Sequence, residues 1–171
     1  KQESDEGVHY SNAIMGASTL SAEAMVAHLT DKNPEITKDY AARVANAYLT
    51  ISQYYGIRGD IAFFQAMLET GNLKYGGEVD VSYNNFCGMK AHGDTEEKYD
   101  YAKFATVEEG VEAHLQHIYC YASTQPLPSG RKLVDPRFYD WLRGRSTTWE
   151  GLSGIWAQPG YDPNEYASLE E

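Results

Sequence analysis

Apolar positions recur at helical spacing along most of this chain, and the pattern breaks once, between Asn72 and Phe104. Residues 1–13 are polar and read as a loose lead-in. Ser21 is placed to cap a helix running to about Leu29, with Glu23 in the first turn and Met25, Val26 and Leu29 as its apolar stripe. Asn33-Pro34 ends it. Tyr40, Val44, Ala47, Ile51 and Tyr55 then predict a helix over Lys38 to Tyr55, closed by Gly56. Arg58-Gly59-Asp60 turns the chain, with Asp60 expected as N-cap of the next helix. In that helix Ile61, Phe63, Phe64, Met67 and Leu68 occupy much of the circumference, which predicts a helix surrounded by protein.

From Asn72 to Phe104, glycines, an Asn-Asn pair and tyrosines replace the helical period. This stretch reads as an irregular lobe with a small hairpin at about Glu96 to Phe104. Thr106 and Glu109 form a capping box that opens a helix to about Ala122, with Val107, Val111, His114, Leu115 and Ile118 facing inward. Ser123 to Val134 is a loop. Asp135-Pro136 predicts a short helix ending at Gly144, and Thr147 with Glu150 another that carries Trp149, Leu152 and Trp156. A last short helix is expected over Asn164 to Leu169. The outline is mainly α, a helical domain with one irregular or β-hairpin lobe, and lysozyme-like α+β domains share that plan.

The helix over Ile61 to Gly71 delivers one carboxylate, Glu69, and then stops at a glycine. The negative end of the helix dipole and the apolar neighbours both disfavour ionisation there. A carboxylic acid that keeps its proton near neutral pH suits glycoside cleavage, in which the leaving oxygen is protonated. The plainer reading is a helix-end glutamate that reaches water. Gly71 lets the chain leave in a left-handed conformation and opens space beside the acid.

Composition narrows the classes. A chain of 171 residues, 42% of them hydrophobic, suits one globular domain with a real core. No apolar run is long enough to span a membrane. The chain begins at Lys1 without a charged-then-apolar leader, as expected of a processed protein or a fragment of a longer one. A net charge of −11 argues against nucleic acid as partner and against holding an anionic surface by overall charge. Cys87 and Cys120 do not make a disulfide scaffold; two small buried residues, one bridge between them, or a nucleophilic cysteine all fit. His114 and His117 lie three apart, but no further ligand is spaced to join them, so no metal is expected. Arg58-Gly59-Asp60 is a turn rather than an adhesion tripeptide, and Trp141, Trp149 and Trp156 are expected in the core.

An ordered set of short motifs resembles the glucosaminidase domains of glycoside hydrolase family 73. The set comprises Ile14-Met15-Gly16, Ser18 through Met25, Gly59-Asp60-Ile61-Ala62-Phe63, Glu69-Thr70-Gly71 and Tyr83-Asn84-Asn85-Phe86-Cys87-Gly88-Met89. Gly110-Val111, Gln116-His117, Tyr121-Ala122-Ser123, Asp135-Pro136-Arg137-Phe138 and Trp156-Ala157 continue it, so the likeness runs from about residue 14 to about residue 167. The resemblance implies a lysozyme-like catalytic domain over 14–171, with its lobe at about 72–104 beside the cleft. It implies an endo-β-N-acetylglucosaminidase of bacterial peptidoglycan, cutting the β-1,4 bond after N-acetylglucosamine.

By the same resemblance Glu69 stands at the position of the catalytic acid, and Tyr83, Asn84, Asn85, Phe86, Gly88 and Met89 at the sugar site. Tyr161 and Tyr166 match the stretch where such domains place a functional tyrosine. Asp94, Glu96, Glu97 and Asp100 all lie where a second carboxylate is expected, with Glu97 and Glu96 preferred. The substrate's own acetamido group, or a water positioned by other groups, is the alternative. No cofactor is expected. The implied partner is the peptidoglycan glycan strand, the implied place is outside the cell or in the wall, and a monomer joined to wall-binding modules is expected. A muramidase or lytic transglycosylase of the same fold, and a wall-binding module without activity, are the rival readings.

Overall fold

All the α-helices but Gly59–Thr70 start where the side-chain oxygen of the preceding residue accepts from the first turn. Residues 12–91 and 100–156 are described by the structure, a computed structural model. Helix α1 spans Ala22–Lys32, and Ser21 accepts from the Ala24 N–H at 3.2 Å. Helix α2 spans Lys38–Tyr55, capped by Thr37 and closed by Gly56 in the left-handed conformation, φ +67°. Helix α3 spans Gly59–Thr70 and helix α4 Val107–Ala122. Thr106 caps α4 through the Glu109 N–H at 3.1 Å, while the Glu109 carboxylate accepts from the Ala105 N–H at 3.2 Å. Helix α5 spans Trp149–Ser153.

Helix α2 is the hub, packed against α1, α3 and α4. Met25, Leu29, Tyr48, Phe63, Phe86, Leu115, Ile118 and Leu152 are fully buried there. Residues 13–16 tie the two ends of this core together. Ala13 pairs with Thr148 and Met15 with Ile57, and the Ile14 N–H donates to the Thr147 carbonyl at 3.0 Å. Asn12, inside the expected lead-in, accepts from the Trp149 N–H at 3.0 Å.

Several expectations are corrected. Asp60 is not the N-cap of α3 but lies in its first turn, only 1% exposed. It accepts from the Thr19 and Leu20 N–H groups at 2.9 and 3.3 Å and pairs with Arg58 at 2.9 Å. The cap of α5 is Thr148, because the Thr147 carbonyl is engaged by Ile14. Trp156 lies beyond that helix. Between Asp135 and Gly144 there is no α-helix, only a turn and a 3-10 segment at Asp140–Leu142. Asp135 accepts from the Arg137 N–H at 2.8 Å, a local turn bond that competes with helix. Trp141 is 48% exposed, stacked on Tyr139 rather than in the core. The expected helix over Asn164 to Leu169 lies outside the described residues.

Asp60 makes folding sensitive to acid. Burial alone would raise its carboxyl, but Arg58 and the two N–H donors outweigh burial and hold it at about 2. The folded-state value is thus below the ordinary aspartate value of about 3.9. Its stabilisation is present above the unfolded value and is lost as pH falls through the folded one. Asp60→Asn is expected to lower stability at neutral pH by about 2 kcal/mol or more, with Arg58 left unpaired. It is also expected to flatten the loss between about pH 5 and pH 2, read from urea midpoints. Parallel curves for the two proteins would reject this account.

Candidate active site

Helix α3 has two unlike sides. Ala62, Phe63, Ala66, Met67 and Thr70 are buried, while Ile61, Phe64 and Gln65 are half-buried and Leu68 and Glu69 face solvent. Leu68 is 86% exposed, so the expectation of a helix enclosed on all sides is overturned. The exposed side follows i, i+3, i+4 spacing and forms an open face that ends at Glu69.

The end of α3 takes an uncommon backbone course. Gly71, Asn72 and Leu73 have successive φ values of +59°, +57° and +60°, and Tyr75 has +55°. A left-handed Leu or Tyr is strained, and surrounding bonds must hold it. Thr70 does much of this, its hydroxyl donating to the Ala66 carbonyl and accepting from the Leu73 N–H. Asn33 donates to the Asn72 carbonyl at 3.0 Å. The carboxylate of Glu69 has no hydrogen bond or ion pair among the described residues. It reaches solvent, yet surrounding protein desolvates it and pushes its pKa up. Glu69 is therefore both reachable from solvent and partly desolvated by the protein around it. An acid there is able to give a proton to a bound oxygen and take one from water afterwards.

The lobe carries the other predicted residues, and its shape is set by Asn85. This side chain is fully buried, its amide donating to the Met89 and Ala102 carbonyls at 2.8 and 3.0 Å. Its oxygen accepts from the Cys87 and Met89 N–H groups. Lys90 and Tyr101 form an antiparallel bridge, and the Ala91 and Ala102 N–H groups complete a ladder between 89–91 and 100–102. The hairpin therefore begins earlier than the expected Glu96 to Phe104. Cys87, Met89, Ala102, Phe104 and Ala113 make a second small core beneath it.

The residues expected at the sugar site differ in exposure. Asn85, Phe86 and Met89 are buried, with Phe86 against Tyr48, so they shape the lobe from inside. Tyr83 and Asn84 are half-buried and Gly88 is exposed. Lys103 lies 4.5 Å over the Tyr83 ring. Cys87 is close enough to Glu69 for the carboxylate to add to the burial and the Asp135 charge that raise the thiol. Glu69 therefore lies within electrostatic reach of Cys87 in the lobe. Both cysteines are buried and free, with the Cys120 thiol directed at the Tyr139 carbonyl. Glu96, Glu97, Tyr161 and Tyr166 lie outside the described residues, as does Asp94. Asp100 is half-buried in the hairpin.

The glucosaminidase family model, described as mannosyl-glycoprotein endo-β-N-acetylglucosaminidase, matches residues 45–168. The chain belongs to this glucosaminidase family, the domain of glycoside hydrolase family 73. It is a mainly helical, lysozyme-like glucosaminidase domain. It is also similar to an uncharacterized protein of Borreliella burgdorferi, 39% identical over 136 residues. The aligned region covers 80% of this chain and 64% of that protein. No solved structure matches it.

Helix α4 presents a buried polar stripe. His114 bonds Tyr48 and Gln65, and His117 bonds the buried Asp135 at 2.8 Å. Gln116 holds the following loop, accepting from the Val134 and Asp135 N–H groups and donating to the Lys132 carbonyl. The Trp156 ring lies 5.7 Å from His114 and 5.0 Å from His117. Among the described residues no group of three His, Cys, Asp or Glu is placed to hold a metal ion. No helix among them is long and apolar enough to cross a membrane. A signal for the stripe was present: Gln65 is the single polar residue between Ile61 and Leu68 and lies one turn before Glu69.

Proposed function

We propose that this domain is an endo-β-N-acetylglucosaminidase that hydrolyses the β-1,4 bond after N-acetylglucosamine in bacterial peptidoglycan. Glu69 is its general acid. The observation that carries the reading is the position of Glu69: accessible, unpaired and desolvated at the end of α3, within electrostatic reach of Cys87 in the lobe. Membership of a glucosaminidase family supports the same bond class. Glu69 protonates the glycosidic oxygen and then draws a proton from the incoming water. Tyr83, Asn84 and Gly88 line the lobe side of the site. The second half of the displacement falls to Glu96 or Glu97, or to the substrate's acetamido oxygen. A chain of net charge −11 does not hold an anionic wall by itself, which favours attachment through wall-binding modules; secretion and a monomeric state are part of the same proposal.

Digestion of purified peptidoglycan tests the bond. Every new reducing end is expected to be N-acetylglucosamine. A reducing muramic end, or a 1,6-anhydro end, replaces this reading with a muramidase or a lytic transglycosylase. Release of glycan from mannosyl-glycoproteins with intact peptidoglycan would move the substrate to that class and reject the wall.

A further inference from the structure

Gln65 stands one turn before Glu69 on α3, so the two side chains lie next to each other on the open face. Unlike Glu69, Gln65 has its orientation imposed from within. Tyr48 is fully buried, and its hydroxyl lies 2.6 Å from His114 Nδ1 with no other acceptor among the described residues. The hydroxyl proton therefore goes to Nδ1, which leaves the ring proton on Nε2. Burial and the neighbouring His117 push His114 down to about 3, so the ring keeps this neutral form through the working range. Nε2 then donates to Gln65 Oε1 at 2.8 Å. With its oxygen held inward, the amide turns its nitrogen outward. That nitrogen has no partner among the described residues and is not among their buried, unsatisfied atoms. The buried Tyr48–His114 pair thus points one uncharged donor, locked against flipping, to the side of Glu69.

An uncharged donor that cannot turn round selects for an acceptor. An N-acetylated aminosugar offers a strong one, the acetamido carbonyl. Removing the acetyl group leaves an amine that is a donor-only ammonium when protonated, and donor then faces donor. Sites built to hydrogen-bond a substrate group reject the analogue lacking it, because a polar group is left unpaired.

We infer that Gln65 contacts the sugar on which Glu69 acts, donating to its acetamido carbonyl and making the site selective for N-acetylated over de-N-acetylated glycan. Tyr48 and His114 are positioning residues behind it. The inference rests on the assignment of Glu69 as the acid. The test is the ratio of kcat/KM on fully acetylated glycan strands to that on the same strands chemically de-N-acetylated. Two variants are compared with the wild type. Gln65→Met removes the donor, and Gln65→Glu keeps an acceptor for His114 while replacing the outward N–H by oxygen. Both are expected to lower the ratio at least about tenfold. Tyr48→Phe, which frees the imidazole tautomer, is expected to lower it in the same direction. General destabilisation, or a changed Glu69 acidity, acts on both substrates and leaves the ratio in place. A wild-type ratio in both Gln65 variants overturns the inference. If the wild type cleaves acetylated glycan and Glu69→Gln does not, that failure is confined to Gln65. If Glu69→Gln cleaves as well as the wild type, the assignment of the acid falls and this inference with it.

Discussion

Glu69→Gln is expected to slow cell-wall lysis about a thousandfold, near 4 kcal/mol in the barrier, without lowering the melting temperature at neutral pH. The two halves have one physical cause. The carboxyl of Glu69 is desolvated and unpaired, so its folded-state pKa lies above the ordinary glutamate value of about 4.3. A group raised on folding binds its proton more tightly in the folded protein. Its stabilisation is present below the unfolded pKa and is lost as pH rises through the folded one. At neutral pH the wild type carries that loss, and glutamine, which does not ionise, does not. Catalysis needs the protonated form, so kcat/KM falls on the alkaline side at a pH above the ordinary glutamate value. The flat alkaline limb expected of an enzyme without a general acid would reject the assignment. Undiminished turbidity loss in the variant would do the same. A melting temperature several degrees below wild type would show that Glu69 has a structural partner.

How much of this was readable beforehand depends on the kind of interaction. Helix α2 matches its predicted bounds because its signals are local: Thr37 at one end, Gly56 at the other, and apolar positions at a 3.6-residue period between. The place of Glu69 at the end of α3 was legible for the same reason, an abrupt charge at the end of an apolar run closed by Gly71. Several of the failures are cases where a residue outside the local pattern decided. Asp60 looks like a cap until Gly59 is seen under α2, where a Cβ would meet Ser52 Oγ at 2.2 Å. That close crossing places the helix start one residue earlier and turns Asp60 toward Thr19 and Arg58. Leu68 counts as core in any periodicity, yet none of the described residues covers it and it is 86% exposed. Asn85 reads as a sugar ligand by its motif, yet the hairpin carbonyls of Met89 and Ala102 use its donors. The apolar pattern carries no information about which polar side chain faces inward. Gln65, His114 and Asp135 are therefore where the sequence said least.

Gly110→Ala should destabilise the domain by about 3 kcal/mol, with the melting temperature lowered by roughly 10 °C. The sign is opposite to the ordinary rule. In a helix interior alanine is better than glycine by nearly 1 kcal/mol. Gly110 lies in the first turns of α4 and is fully covered, because the Asn84 carbonyl rests on it: an added Cβ would stand 1.7 Å from that oxygen. Neither side yields easily. Asn84 is itself left-handed, φ +50°, and its amide donates to the Phe104 carbonyl at 3.0 Å. The next residue is the buried Asn85, which organises the hairpin. Relief of the clash must move the Asn84 turn away from α4, and with it the part of the lobe proposed to line the site. Activity at a temperature where the variant is fully folded is therefore expected to fall at least about tenfold, since small misplacements of positioning groups are costly. Gly88, where an added Cβ meets nothing within 4 Å, supplies the control: Gly88→Asn tolerates the left-handed φ of +62° and should leave the melting temperature nearly unchanged. A Gly110→Ala variant as stable as wild type would mean that the lobe is free to slide on α4. The contact at Asn84 would then not be what fixes the width of the cleft.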